Sequence, residues 1–293
     1  MPAPVPTAAR LLVLAATAVV PLLPFGPAAV LRAGEAVLGP DEVLARHNAW
    51  ADGIRHLWAR AEITLNFPAD QEGRKREQHD LAGHLFLAKP DRLFLHGQVL
   101  GKDVFVVGMN AERFWLWIRP EVNTVWTGRR GGPGERRLIV SPTDLMAALG
   151  LCPLTLEPSA PAEFVALPRH YVLTQRWPAP DGAGADGPAD PPPPRRRVWF
   201  DRRHLRPVRV DLFDESGRRL LLAELLRYEP VGPGGIDLCT AYRARFYGEG
   251  REVVLVLRLT KVRPEKEPNP RIFTYRPPPG AKVRDLDAGA PVP

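Results

Sequence analysis

Apolar and polar residues alternate with period two along most of this chain. In "LAGHLFLAKPDRLFLHG", residues 81–97, Leu81, Gly83, Leu85 and Leu87 share one side of a first run, and Leu93 and Leu95 one side of a second. Alternation of this kind predicts strands with one buried face. Pro90 lacks a ladder donor and biases Lys89 away from helix, so it separates the two strands. Upstream, Ala59, Ala61, Ile63, Leu65 and Phe67 alternate with Arg60, Glu62, Thr64 and Asn66. Downstream come "DVFVVGMN", "ERFWLWIRP" and "NTVWTGR", punctuated by Gly101, Asn110 and Asn123, residue types that hairpin turns favour. After "HYVLTQRW" a second meander follows: "RRRVWFDRR", "PVRVDLFD", "RLLLAELLRYEP", "IDLCTAYRARFYG" and "REVVLVLRLTKV", with tight-turn signals at "DESG" and "GEG".

Helical periodicity shows in few places. Residues 39–56 open on Pro40, Asp41 and Glu42, a good helix start, and Val43, Leu44, His47 and Trp50 form the apolar stripe. "SPTDLMAALGL" reads as a short helix capped by Ser141. Residues 178–194, "PAPDGAGADGPADPPPP", hold almost nothing to bury and predict a flexible Pro/Gly-rich loop.

About eleven one-faced strands must bury that face on another sheet, on helices, or by curling. The helices are too few to cover so long a flat sheet. The expected fold is therefore mainly β with few helices: a strongly curved antiparallel sheet forming an open, half-closed barrel of about eleven strands, with a helical lid or plug. Such a barrel encloses apolar space suited to a greasy ligand. One parity choice per strand fixes which residues line it. The choice falls on Ile63 and Leu65, Leu85 and Leu87, Leu93 and Leu95, Val104 and Val106, Phe114 and Leu116, and Leu255 and Leu257. Both faces of 112–118 are apolar; Phe114 and Leu116 are assigned inward because this leaves the bulkier Trp115 and Trp117 for the outer or lid side.

The 293 residues are 45% hydrophobic, enough for a sizeable core, and the 34 prolines and 25 glycines fit many turns. The net charge of +7, carried largely by arginine, suits an anionic partner and equally a compositional habit; no zinc-knuckle or helix-turn-helix pattern points to nucleic acid. "MPAPVPTAAR" followed by "LLVLAATAVVPLLPFGPAAVL" has the layout of a secretory signal, with small residues for cleavage near Ala28 or Ala29. An uncleaved anchor competes with it, since about 21 such residues just span a bilayer; Pro21, Pro24 and Pro27 favour the signal. Residues 1–33 are thus a signal peptide or N-terminal anchor, and 34–293 a single domain. Cys152 and Cys239 both sit in apolar settings and are read as either a disulfide or two buried thiols.

No HExxH, GxSxG or paired-cysteine motif occurs, and the seven histidines are dispersed. His84 and His96 are expected to be neighbours on adjacent strands, too few ligands for a metal. Neither enzyme, cofactor nor metal is expected. The magnitudes favour binding: each acyl CH₂ removed from water yields about 0.8 kcal/mol, so a chain of more than about a dozen carbons brings on the order of 10 kcal/mol without a specific polar contact.

"LAGHLFLAKPDRLFLHG", "DVFVVGMNAERFWLWIRPEVNTVWTG" and the closing "RIFTYRPPPGAKVRDLD" together resemble the LolA/LolB-type periplasmic lipoprotein carriers. The shared pattern is a strand ending in Lys/Arg-Pro, a strand ending in an Asn-type turn, an aromatic "fWl" strand and a closing "F-x-x-x-P-P-x-G", in order over about residues 40–290. The resemblance implies a half-closed barrel of about eleven strands with a helical lid, and a cavity for lipoprotein or lipid acyl chains. It implies a monomeric periplasmic protein with possible contact to the membrane or an envelope protein. It also implies that the basic residue of the Lys/Arg-Pro pair, here Lys89, latches the lid; the other reading of Lys89 is a solvated strand-end lysine. Lysine offers a point charge where arginine offers a fork. The same fold serves lipid-sensing regulatory domains, so a sensor or scaffold with a packed interior is the alternative to a carrier.

If the N-terminal run is a cleaved signal, mass spectrometry of protein from the native envelope should find a first residue between Val30 and Ala36; intact protein in the membrane fraction would establish the anchor.

Overall fold

The computed structural model describes residues 37–67, 77–119, 123–157, 160–178, 191–248 and 252–289. The N-terminal segment 1–33 and the body of the 178–194 loop lie outside them. The chain runs α1 (Pro40–Asp52), β1 (His56–Phe67), β2 (Glu77–Ala88), β3 (Arg92–Val99), β4 (Lys102–Met109), β5 (Arg113–Ile118) and β6 (Thr124–Arg129), then α2 (Pro142–Ala148). The second half is β7 (Ala162–Ala166), β8 (His170–Arg176), β9 (Pro194–Asp201), β10 (Pro207–Phe213), β11 (Arg219–Val231), β12 (Ile236–Tyr247), β13 (Glu252–Arg263) and β14 (Lys282–Asp285).

All fourteen strands join one sheet, ordered β14-β6-β5-β4-β3-β2-β1-β13-β12-β11-β10-β9-β8-β7. Among the described residues the fold is mainly β with two α-helices, as expected, but the sheet has fourteen strands rather than about eleven. Two of the extra strands are edges with little to bury. In β7 only Phe164 is half-buried, and β14 is exposed throughout, so neither carries the alternation that marks a strand. β14 is also the one parallel member, pairing with β6 through Lys282–Thr124 to Asp285–Thr127. β1 and β13 pair at the centre and splice the two meanders, setting Ile63 opposite Leu257 and Leu65 opposite Leu255.

The curl follows from what α2 touches. It packs on β4 and β5 and also on β10 and β11, although five strands separate those pairs in the sheet. The sheet therefore wraps round α2 without its edges pairing. Gly83 and Gly97 sit opposite one another on β2 and β3. A Cβ on Gly83 would lie 1.7 Å from the His96 carbonyl oxygen, and one on Gly97 2.6 Å from Leu81 Cδ1. Glycine is what permits this close approach of the strands.

α1 begins at Pro40, with no side-chain cap from Gly39 but with Asp41 and Glu42 in the first turn to meet the helix dipole. It buries Val43, Leu44, His47 and Ala51, a stripe at helical spacing. α2 is capped by Ser141, whose hydroxyl accepts from the Asp144 amide at 3.3 Å.

Gly83→Ala should lower stability by about 2 kcal/mol, because the obstructing atom is backbone and cannot step aside. Gly234→Ala, whose Cβ would meet nothing nearer than 3.9 Å, should change it by less than about 0.5 kcal/mol. Urea denaturation midpoints of the two variants measure the difference.

Candidate functional site

The concave face is an aliphatic wall. Leu57, Ala59, Ala61, Ile63 and Leu65 of β1 lie beside Leu81, Leu85 and Leu87 of β2 and Val253, Leu255, Leu257 and Leu259 of β13, all buried in one cluster. Leu93 and Leu95 of β3 continue it and are fully buried. Phe114 and Leu116 face the same way, since they pair with Met109 and Val107, which pair in turn with Leu93 and Leu95. The structure thus brings ten of the twelve predicted cavity residues into one continuous core.

The other two depart from the reading. Val106 pairs with His96 and lies on the opposite, convex face, in a separate cluster with Trp115, Trp117 and Val125. Val104 is the unpaired residue of a bulge, because Gly97 faces Phe105 while Gln98 faces Asp103; it is half-buried at the edge of the main core. "VFVVGM" is apolar at both parities, so alternation alone could not choose. Its neighbour β3 decides, turning Phe105, Val107 and Met109 inward.

The helical layer fills the space inside the wall. Leu145, Met146 and Leu149 of the α2 region and Leu151 and Leu154 beyond it are buried against the sheet. A cavity of about 20 Å³ remains on the concave side, lined by His47, Ala147, Gly150, Cys152, Leu154, Arg196, Val198, Pro207 and Val210. That volume holds about one water. On the convex face a larger cleft of about 200 Å³ lies between the Trp115–Trp117 cluster and the segment Thr274–Pro278, with Asp103 and Arg276 among its walls.

Polar ties to α1 are unequal on its two sides. Toward the 151–154 segment and the β8–β12 arm there are four from α1 itself and one from Leu38 just ahead of it. Asn48 and Leu154 exchange two hydrogen bonds of 2.8 Å, and the Trp50 indole donates to the Asp237 carbonyl at 2.8 Å. The Leu38 amide donates to the Tyr171 hydroxyl at 3.0 Å, and His47 Nε2 lies 3.1 Å from the Cys152 carbonyl. Toward the β1–β6 arm, the one side-chain tie among the described residues is Lys89, whose ammonium donates to the Ala51 carbonyl near the C-terminal end of α1. A cation there also meets the negative end of the helix dipole. Lys89 is half-buried, and burial pulls its pKa below the usual lysine value.

A carbonyl only accepts, so His47 carries its proton on Nε2, and its buried Nδ1 is left without a partner. His47 is 1% exposed. Burial, opposed by the bond to Cys152 and assisted by Lys89, Arg206 and Arg196, lowers its pKa to about 4. Arg196 is the residue that alternation should have revealed. In "RRRVWF" it shares parity with Val198 and Phe200, so a guanidinium stands on the aliphatic face. In the first turn of α2, burial and the Glu135 carboxylate raise Asp144 to about 7.

Cys152 and Cys239 are free thiols, the first donating to the Met146 carbonyl at 3.7 Å and the second to the Ala241 carbonyl at 3.2 Å. His84 Nδ1 lies 3.1 Å from His96 Nε2 on the convex face, and His96 Nδ1 reaches Asp103 at 2.9 Å. Among the described residues no cluster of three or more His, Cys, Asp or Glu could hold a metal, and no helix is long and apolar enough to cross a membrane.

Between pH 6.5 and about 4 the unfolded chain binds a proton at His47 that the folded chain refuses, so stability falls as pH drops through that window. The loss from this one group is up to about 3 kcal/mol. Asp144 acts oppositely, its contribution falling as pH rises from about 4 to 7. His47→Gln should therefore be less stable than wild type at pH 7, and that deficit should shrink or reverse by pH 4.5. Urea unfolding of both proteins at each pH reads the difference, from which the Asp144 contribution cancels.

No family model matches the chain, and no curated protein matches it. Among solved structures it is similar to a LolA superfamily protein from Nitrosomonas europaea, at 13% identity and a TM-score of 0.48 over 79% of this chain and 97% of that one. A DUF1329 family protein from Desulfovibrio piger matches at 15% identity and 0.48, over 80% and 95%. An outer membrane lipoprotein-sorting protein domain from Vibrio parahaemolyticus matches at 15% identity and 0.48, over 79% and 94%.

Proposed function

We propose that this is a non-enzymatic envelope protein that holds acyl chains of lipids or lipoproteins against the concave face of its sheet. The observation that carries the reading is the aliphatic wall itself: it is continuous across β1, β2, β3 and β13, yet the layer over it is two short helices and a loop. The pocket on this side has about 20 Å³, too little for an acyl chain, so under this reading a chain enters only if the helical layer moves. Lys89 is the proposed latch, its single tie to Ala51 holding α1 to the β1–β6 arm. The signal-like N-terminus of the sequence supports export to the periplasm.

A second reading, a sensor or scaffold of the same architecture with a permanently filled interior, is favoured by the close packing of Leu145, Met146, Leu149 and Leu151. The two are separated by displacement of a fluorescent fatty acid from the purified full chain. The carrier reading expects binding, abolished by Leu87→Glu or Leu257→Glu and unaffected by Arg258→Glu on the other face, since a lone charge in an apolar site is strongly penalised. It also expects Lys89→Met to bind the probe faster. A folded wild type that binds no probe would leave the scaffold reading standing.

A further inference from the structure

Charge on the concave face is not accounted for by packing. Arg196 lines the interior cavity beside Val198, Val210 and Cys152, opposite Leu212 in the ladder. Its neighbours are satisfied: Arg195 pairs with Glu157 at 2.7 Å, and Arg197 donates to Thr174 at 3.1 Å. Arg196 makes no side-chain hydrogen bond and no ion pair among the described residues; Glu157, engaged by Arg195, is the carboxylate that acts on it at longer range. Lys89 spends one donor on the Ala51 carbonyl, and Asp52 is the acid acting on it, again beyond ion-pair distance. Arg206 stacks on Trp50 at 4.8 Å, and all three cations bear on His47. A guanidinium without a partner, set beside Val198 and Val210 on the aliphatic face, carries a desolvation cost that its neighbours do not offset. An anion beside it would relieve that cost.

We propose that this end of the concave face is an anion seat, in which Arg196 receives the acidic head of an acyl ligand whose chain lies along the aliphatic wall. The proposal rests on the acyl-binding reading and narrows its ligand to acidic amphiphiles. The shared chemistry is an anionic oxygen on a hydrocarbon chain, supplied by a fatty-acid carboxylate or by a lipid phosphate. The guanidinium matches either with parallel N–H donors. The present cavity has room for about one oxygen-sized group beside it, so the seat enlarges with the same movement that admits the chain.

The test is calorimetric titration of the full chain with oleate, methyl oleate and oleoyl lysophosphatidate, each below its aggregation concentration. Wild type should bind at least one acid about tenfold more tightly than the ester, the scale of a charge-assisted hydrogen bond. Oleate or lysophosphatidate being preferred identifies carboxylate or phosphate as the source. Arg196→Gln should erase the preference while leaving ester affinity unchanged, and raising salt should weaken the acids alone. Equal affinity of wild type for acids and ester would overturn the seat while the acyl reading stands, and needs no variant to fold. Equal loss of acid and ester affinity in Arg196→Gln would also overturn it. No binding of any of the three would overturn both proposals.

Discussion

A sheet of fourteen strands with one aliphatic face has more surface to hide than two helices can cover. Everything else in this molecule follows from how that face is kept from water. At about 25 cal/mol per Å² of apolar area, a wall built from β1, β2, β3 and β13 would be untenable if left flat and exposed. The sheet solves this by curling until strands with five others between them both touch α2. The curl in turn demands glycine at Gly83 and Gly97, where β2 and β3 approach too closely for a Cβ.

The same constraint sets the asymmetry of the helical layer. α1 and the Leu38 amide ahead of it are bound to the 151–154 segment and to the β8–β12 arm by five hydrogen bonds, but to the β1–β6 arm by Lys89. Apolar contact alone resists sliding weakly, because it is non-directional. Under the binding reading, α1 would travel with the β8–β12 arm and part from the leucines of β2 and β3.

Much of this was legible in the sequence where a strand has one apolar parity. Ile63 and Leu65 fall on the concave face because Glu62, Thr64 and Asn66 flank them, and Leu85, Leu87, Leu255 and Leu257 because the other parity of their strands carries His84, Arg258 and Thr260. Legibility failed where both parities are apolar, as in β4, whose orientation is decided by pairing with β3 and by a bulge at Val104. It failed too for β7 and β14, edge strands whose residues bury almost nothing. Lys89 was found through its place before Pro90, whereas the contact it makes, with a carbonyl at the end of α1, depends on tertiary geometry. Arg196 was overlooked although its parity was readable, because a basic run at a strand start reads as solvated surface.

The convex face explains why the β4–β6 arm is built differently from the rest. Trp115, Trp117, Val106 and Val125 make its outer side apolar as well, and Tyr275 and Ala281 of the C-terminal segment pack over them. Strands covered on both faces lose the clean alternation of a half-exposed sheet. β14 then pairs with β6, so the C-terminal chain covers the outer face of this arm and also protects its edge. Arg113 ties the two parts further, reaching Asp285 at 3.4 Å and stacking on Tyr275 at 5.9 Å. The arm is thus braced from inside by α2 and from outside by the C-terminal segment. Under the binding reading this makes it the fixed half of the sheet, and widening of the concave site would come from α1, which Lys89 ties to the β2–β3 turn by a single side-chain bond.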